Sequence, residues 1–159
     1  MWYDMQAFSI GEYMQLTEHF SIEELTASET ADRLGIDNTP PVSVVTTLQA
    51  TATKMEAVRT LLGGLPIHVN SGYRCPALNK AVEGAETSAH LSGDAVDFIC
   101  PAYGTPLQIC QAIANSMLVF DQVIQEGTWC HVSFAPTERH QLLTAQFNPG
   151  ESTTYKQGV

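Results

Sequence analysis

The longest helix of the chain is predicted by apolar residues that recur at steps of three and four. These positions are Val44, Val45, Leu48, Ala52, Met55, Val58, Leu61 and Leu62. They would share one side of a helix. Two prolines precede the segment and Gly63-Gly64 follows it, and these mark its ends because proline resists regular structure and glycine commonly terminates helices. We therefore expect a helix over residues 42–62.

Upstream of this helix, Ser21 can cap a helix start and Glu24 follows three residues later, which is the spacing of a capping box. This spacing predicts a short helix, and residues 30–34 predict a second short turn. The first sixteen residues are rich in aromatic residues and methionine but show no clear period. We expect residues 1–16 to form an N-terminal arm, either packed against the domain or helical.

Downstream of the long helix, short apolar segments alternate with turn signals. The predicted strands are residues 67–70, 95–100, 120–125, 129–134 and 142–147, and the predicted helices are residues 77–82 and 106–116. Gly127 and Thr128 separate two of the strands and indicate a hairpin. The polar tail, residues 149–159, is expected to fray. Helices followed by strands mixed with helices predict one α+β domain over residues 1–159, with a small antiparallel sheet and flanking helices.

Composition and charge narrow the functional classes. Hydrophobic residues make up 44% of the 159 residues, which favours a globular fold. The formal net charge is −10 and the sequence has no basic cluster, so neither nucleic acid nor an anionic membrane is an expected partner. No segment approaches the roughly 20 apolar residues that span a bilayer.

The first ten residues and the four cysteines indicate the compartment in which the chain is made. Residues 1–10 have no basic start and no long apolar run. We therefore expect that they are not a secretory signal and that the chain is made in the cytoplasm. The four cysteines form no C-x-x-C pair, which argues against a thiolate zinc cluster. We expect free, partly buried thiols, because disulfides are rare in reducing compartments.

Three residues are candidates for a metal site. His90 and Asp97 are separated by a segment that contains Gly93, which lets the chain fold back, and His131 lies in a predicted strand. Two histidines and one carboxylate are a familiar catalytic zinc set that leaves one position open. The same spacing also fits a hydrogen-bonded structural pair of histidine and aspartate.

Neighbouring residues favour the metal site. Residues 88–97 match S-x-H-x-x-G-x-A-x-D at every fixed position, residues 71–74 are S-G-Y-R, and residues 129–131 match W-x-H. In this order the motifs resemble those of the zinc D-alanyl-D-alanine carboxypeptidases and dipeptidases, a family that also holds phage endopeptidases. The resemblance runs from about residue 20 to residue 147 and implies the fold of that family. The Hedgehog signalling domain resembles the same fold.

The resemblance implies a role for each matched residue. His90, Asp97 and His131 match the metal ligands, which implies Zn²⁺ as the cofactor. Arg74 matches the arginine that holds a substrate carboxylate or carbonyl, and Ser88 matches a residue that lines the substrate site. The implied activity is hydrolysis of a peptide bond beside D-alanine in peptidoglycan, by a carboxypeptidase or an endopeptidase. The partner would be a stem or cross-bridge peptide of the cell wall, and a role in phage lysis or in a virion fits such an enzyme.

The general base does not follow from the resemblance. Related peptidases often place an acid three residues before the last zinc histidine, and Thr128 occupies that position here. If a two-residue loop joins the strands, Glu126 faces Trp129 and shares a side of the sheet with His131. We therefore assign the base to Glu126, with Asp121 in reserve. The missing acid also favours an alternative, a zinc-binding structural or binding module of the same fold with little or no catalysis.

Overall fold

The computed structural model describes residues 14–159, so most of the predicted arm over residues 1–16 lies outside the described residues. The helices are α1 (Ile22–Thr26), α2 (Glu29–Leu34), α3 (Val42–Leu61), α4 (Pro76–Ala81) and α5 (Pro106–Ala114). The strands are β1 (His68–Ser71), β2 (Ala95–Ile99), β3 (Gln122–Glu126), β4 (Trp129–Ser133), β5 (Gln141–Gln146) and β6 (Thr154–Gln157). These elements confirm the α+β class. Within this part of the chain, no helix is both long and apolar enough to cross a membrane.

The helix ends follow the local sequence. The Ser21 side chain accepts a hydrogen bond from the Glu24 backbone N–H at 3.2 Å and caps α1. At the end of α3, Gly63 and Gly64 have φ angles of +78° and +71°, a region that residues with a Cβ rarely adopt. The predicted cap and the predicted end of the long helix are both confirmed.

The six strands form one sheet in the order β1-β2-β4-β3-β5-β6. Four of the five pairings are antiparallel, as predicted, but β3 and β5 run parallel. The reason lies in the loop after β4, residues 134–140. It crosses the start of β3, where the Asp121 carbonyl accepts a hydrogen bond from the Gln141 N–H at 2.9 Å, and so places β5 along the far side of β3.

The prediction that residues 149–159 fray is wrong for residues 154–158. Residues 154–157 form β6 and pair antiparallel with β5, and the Gly158 N–H donates to the Leu142 carbonyl at 2.8 Å. All four side chains of β6 are exposed. The strand therefore lacks the apolar alternation that sequence analysis relies on, and its backbone hydrogen bonds to the edge of β5 hold it in place.

The core lies on one face of the sheet, and the candidate site lies on the other. Met55 of α3 and Ile109 of α5 are fully buried in one cluster with Phe98 and Val132 of the sheet. Burying side chains of this size contributes roughly 1.5–3 kcal/mol each. Because side chains alternate along a strand, Asp97 and its cross-strand partner on β4 point to the opposite face.

Candidate metal centre

Two neighbouring strands and a turn bring the three predicted ligands together. Asp97 of β2 pairs directly with His131 of β4. His90 lies in a 3₁₀ helix (Ala89–Ser92) that ends at Gly93, whose φ of +81° reverses the chain into β2. The three side chains are buried, and their candidate ligand atoms all lie within 4.8 Å of one another.

The hydrogen bonds of His90 leave one ring nitrogen free for an ion. Its Nδ1 donates to the Gly72 carbonyl at 2.6 Å, so the proton is on Nδ1 and Nε2 carries a lone pair. That Nε2 lies 3.2 Å from Asp97 Oδ2 but forms no hydrogen bond within residues 14–159. A lone pair that faces a carboxylate in a buried place is unfavourable unless a cation lies between them.

The charges of the three cluster residues are strongly coupled. Burial lowers the pKa of His90 and keeps the ring neutral, which is its metal-binding form. Burial alone would raise the pKa of Asp97, but the two histidines outweigh it and hold that pKa well below its usual range. Burial also opposes a charge on His131, yet its 2.8 Å hydrogen bond with Asp97 raises the pKa of the ring.

These residues fit a divalent metal ion. Two imidazoles and a carboxylate are a common donor set for zinc in catalytic sites, and the Gly72 carbonyl fixes the ring of His90 as an outer partner of a ligand normally does. The carboxylate is ionised, and one buried imidazole nitrogen has no other partner in the part of the chain that the structure describes.

Arg74 reaches the same cluster from the loop after β1. Its Nη2 lies 4.0 Å from Asp97 Oδ2, and its buried Nε has no hydrogen-bond partner among the described residues. The Arg74 backbone N–H donates to the His90 carbonyl at 3.0 Å, which ties the loop to the 3₁₀ helix. Burial lowers the pKa of the guanidinium while the charges of Asp97 and Glu126 oppose that shift. The group stays charged, because arginine is effectively always protonated in proteins, and it keeps donors available for an anion.

Asn38 holds the loop that carries Arg74, a function that sequence analysis missed. Its Nδ2 donates to the carbonyls of Thr26 and Tyr73 at 2.8 and 3.0 Å, and its Oδ1 accepts from the Cys75 N–H at 2.8 Å. The side chain therefore bonds to the residues on both sides of Arg74. In the sequence, Asn38 indicates only a loop next to two prolines, since its partners lie up to 37 residues away.

Ser88 lies at the start of the 3₁₀ helix and is half-buried. Its Oγ accepts a hydrogen bond from the His90 backbone N–H at 3.3 Å. The structure thus places Ser88 beside a predicted ligand, and its contact with substrate stays a prediction.

The predicted hairpin register is confirmed. Glu126 pairs with Trp129, and Ile124 pairs with His131, so these side chains share the face of the metal cluster. The Trp129 Nε1 donates to Glu126 Oε2 at 2.8 Å. Burial first, and then the charge of Asp97, raise the pKa of Glu126. A carboxylate with a raised pKa beside a metal site is suited to accept and return a proton.

Asp121, the reserve candidate for the base, has both oxygens occupied. It is 1% exposed and accepts hydrogen bonds from Arg139 Nε and Nη2 at 2.9 and 2.7 Å and from Thr137 Oγ1 at 2.6 Å. Hydrogen bonds from Arg139 hold the pKa of Asp121 well below its usual range. These contacts anchor the loop that leads to β5.

The cysteines lie outside the cluster. Cys130, next to His131, points into the core, where its thiol lies 3.0 Å from that of Cys110. Burial and this contact raise the pKa of the Cys130 thiol, so it stays protonated and does not bind a metal as thiolate. All four cysteines are free.

A comparison with protein families matches the part of the chain that carries the cluster of His90, Asp97 and His131. A family model described as Peptidase M15 matches residues 18–134, which include all three cluster residues, Arg74 and Glu126. The match ends before β5 and β6. A search of curated proteins found no match to the chain.

Proposed function

This chain belongs to the peptidase M15 family, and from that membership we propose that it is a zinc peptidase that cleaves peptide bonds beside D-alanine in bacterial peptidoglycan. The membership supports a metallopeptidase. The observation that carries the proposal for this chain is the buried His90–Asp97–His131 cluster. In it, one imidazole lone pair faces a carboxylate and has no hydrogen bond from the described residues.

In the proposed mechanism His90, Asp97 and His131 would hold the zinc. When bound, zinc would polarise a carbonyl group and lower the pKa of water. The contacts of the three side chains orient them toward one another, since Asp97 lies between the two rings and Gly72 fixes one of them.

Arg74 and Glu126 supply the remaining groups. Arg74 offers a fork of donors 4.0 Å from Asp97, which is suited to the free carboxylate of a D-amino acid or to a peptide carbonyl beside the scissile bond. Glu126 accepts a proton from the attacking water and returns it to the leaving amine. Its raised pKa makes the carboxylate a stronger proton acceptor.

The test is hydrolysis of defined wall peptides by the purified, zinc-loaded chain, with products identified by mass spectrometry. Release of free D-alanine from a peptide that ends in D-Ala-D-Ala would indicate a carboxypeptidase. Cleavage of cross-linked fragments without free D-alanine would indicate an endopeptidase. Isolated sacculi from a bacterial cell wall extend the test to the intact polymer.

The alternative is a zinc-binding module of the same fold that does not turn over substrate, and it is favoured by the Thr128 residue where related enzymes carry an acid. A chain that holds one zinc ion but cleaves no wall peptide would support the module. A chain that holds no zinc after purification without chelator would contradict both functions.

A further inference from the structure

The part of the chain that follows the family match extends the face of the sheet that carries the metal cluster. Ile124 faces His131 on one side and Leu143 of β5 on the other. Further along, Ala145 of β5 pairs with Tyr155 of β6. Because the side chains of paired residues point to the same face, Leu143, Ala145 and Tyr155 lie on the same face as the cluster.

This extension is apolar at its base and aromatic at its rim. Ile124, Leu143 and Ala145 form a small buried cluster of their own, separate from the main core. Phe147 and Tyr155 are 56% and 52% exposed. We call Leu143, Ala145, Phe147 and Tyr155 the C-terminal surface.

The C-terminal surface lies close to Glu126. A Cβ placed on Gly127, the next residue, would lie 3.2 Å from Phe147 Cε2, so the Phe147 ring packs over the hairpin turn. Burial, and then the charges of Glu126 and Asp97, raise the pKa of the Tyr155 phenol. The phenol therefore keeps its proton and can donate a hydrogen bond to a peptide carbonyl.

The order of the strands gives the surface a direction. Arg74 follows β1, at one edge of the sheet, whereas β5 and β6 form the other edge, and the cluster on β2 and β4 lies between them. Neighbouring strands are about 4.8 Å apart, so β6 is roughly 14 Å from β4, about the length of four extended residues. A peptide whose carboxyl end is held by Arg74 would direct its preceding residues toward the C-terminal surface.

We propose that Phe147 and Tyr155 form a substrate subsite that binds the residues on the N-terminal side of the scissile bond and sets the enzyme's preference for longer peptides. This inference rests on the proposed function. The aromatic rings supply contact area, and the Tyr155 hydroxyl adds a donor for the peptide backbone.

Kinetics with two substrates test the subsite. The bare dipeptide D-Ala-D-Ala reaches only Arg74 and the cluster, whereas a pentapeptide that ends in D-Ala-D-Ala also reaches β5 and β6. Y155A and F147A should each lower kcat/KM for the pentapeptide roughly tenfold, mainly through KM, and leave the dipeptide unchanged. Y155F, which keeps the ring and loses the hydroxyl donor, should have a pentapeptide kcat/KM between those of the parent chain and Y155A. Y103A, which removes an exposed tyrosine elsewhere, serves as the matched control and should change neither.

Equal losses on both substrates would overturn the subsite, because they would indicate general damage to the site. No loss on either substrate would overturn it as well. A calorimetric titration of the pentapeptide separates this inference from the proposed function. If the parent chain binds the pentapeptide but cleaves nothing, the proposed function fails, and weaker binding by Y155A and F147A but not by Y103A still supports the subsite. Absence of pentapeptide binding to the parent chain, or equal binding by all variants, contradicts it.

Discussion

The position of one proton on His90 determines whether the cluster can receive a metal. Its Nδ1–H donates to the Gly72 carbonyl at 2.6 Å, which leaves the Nε2 lone pair directed at Asp97. If the tautomer were reversed, Nε2–H would donate to the carboxylate and the cluster would be a closed hydrogen-bonded network. A backbone carbonyl, which can only accept, enforces the open form.

At the same scale, Arg74 is expected to serve substrate recognition rather than folding. We expect Arg74→Ala to lower kcat/KM on D-Ala peptides by roughly tenfold or more, because each hydrogen bond to a charged group contributes about 1.5–3 kcal/mol. Zinc content and the melting temperature should stay close to those of the parent chain. Arg33→Ala, which removes an exposed arginine on α2, is the control. Unchanged activity would refute the role, and a variant that fails to fold would make Arg74 structural.

The general base is tested by a pair of isosteric changes. Glu126→Gln should keep zinc bound and lower turnover by ~10²–10⁴-fold, the usual effect of losing a general base. Asp121→Asn should affect turnover much less, because both oxygens of Asp121 already accept hydrogen bonds from Arg139. Steady-state rates at saturating substrate distinguish the two variants. The reverse order of effects would assign the base to Asp121.

Asp121→Asn should instead lower stability in a pH-dependent manner. The folded chain depresses the pKa of Asp121, so the ionised group stabilises the fold at pH values above its unfolded pKa of about 3.9. We expect the variant to be less stable than the parent by roughly 1–3 kcal/mol near pH 7. The difference should shrink as the pH falls below about 3.9. Urea unfolding at pH 7 and at pH 3 measures both values, and a difference that is independent of pH would contradict the assignment.

At the scale of elements, the cluster of His90, Asp97 and His131 depends on short irregular segments that pack between regular ones. The loop after β1 passes so close to α1 that a Cβ at Gly72 would collide with the Leu25 carbonyl oxygen. The same loop is hydrogen-bonded to the 3₁₀ helix through Arg74 and to the segment before α3 through Asn38. The regular elements thus fix the ends of these segments, and a few polar contacts fix their centres.

These contacts predict that Asn38 acts through Arg74. Asn38→Ala removes three hydrogen bonds from the loop and should lower kcat/KM on D-Ala peptides several-fold, with zinc retained. The double variant N38A/R74A should be no worse than R74A alone in kcat/KM, since residues that act through one another are not additive. N115A, which removes an exposed asparagine at the end of α5, is the control. Additive losses in the double variant would show an independent, structural role.

N38D provides a second test of the same contact. It keeps the acceptor for the Cys75 N–H but turns a carboxylate oxygen, which cannot donate, toward the carbonyl oxygens of Thr26 and Tyr73, so its activity should be no higher than that of N38A. Activity between those of N38A and the parent would indicate that the acceptor alone holds the loop.

At the scale of the whole molecule, metal binding is expected to stabilise the fold. The predicted ligands come from the 3₁₀ helix, β2 and β4. The ion would therefore join segments distant in sequence, since His90 and His131 are 41 residues apart. Zinc at about 100 times its Kd would add about 2.7 kcal/mol, or roughly 5–10 °C in melting temperature for a chain of this size. Magnesium should add little, because it prefers oxygen ligands.

Thermal unfolding of the chelator-treated chain, with and without added zinc, measures this effect. H131A should lose the zinc-dependent rise in melting temperature, because two ligands rarely hold zinc tightly. H68A removes an exposed histidine of β1 and should keep the rise. An equal rise in parent and H131A would place the bound zinc elsewhere in the chain.

The sequence by itself determined the elements and contacts that depend on neighbours along the chain. Local spacing predicts three of these features: the period of α3, the Ser21 cap and the pairing of Glu126 with Trp129 across the hairpin. It does so because helix and hairpin geometry relate residues that are a few positions apart. The motif residues were identified by resemblance, and the structure brings three of them, His90, Asp97 and His131, into one cluster.

Only the tertiary structure decided the features that join distant segments. No periodic pattern in the sequence predicts these features. They are the parallel placement of β5, the pairing of β6, the support of the Arg74 loop by Asn38 and the ion pair of Asp121 with Arg139. Each depends on where a loop crosses the sheet or on which polar groups the packing of the core brings together. Such partners are selected by the free energy of the whole fold, since a buried polar group must find a hydrogen bond wherever the chain places one.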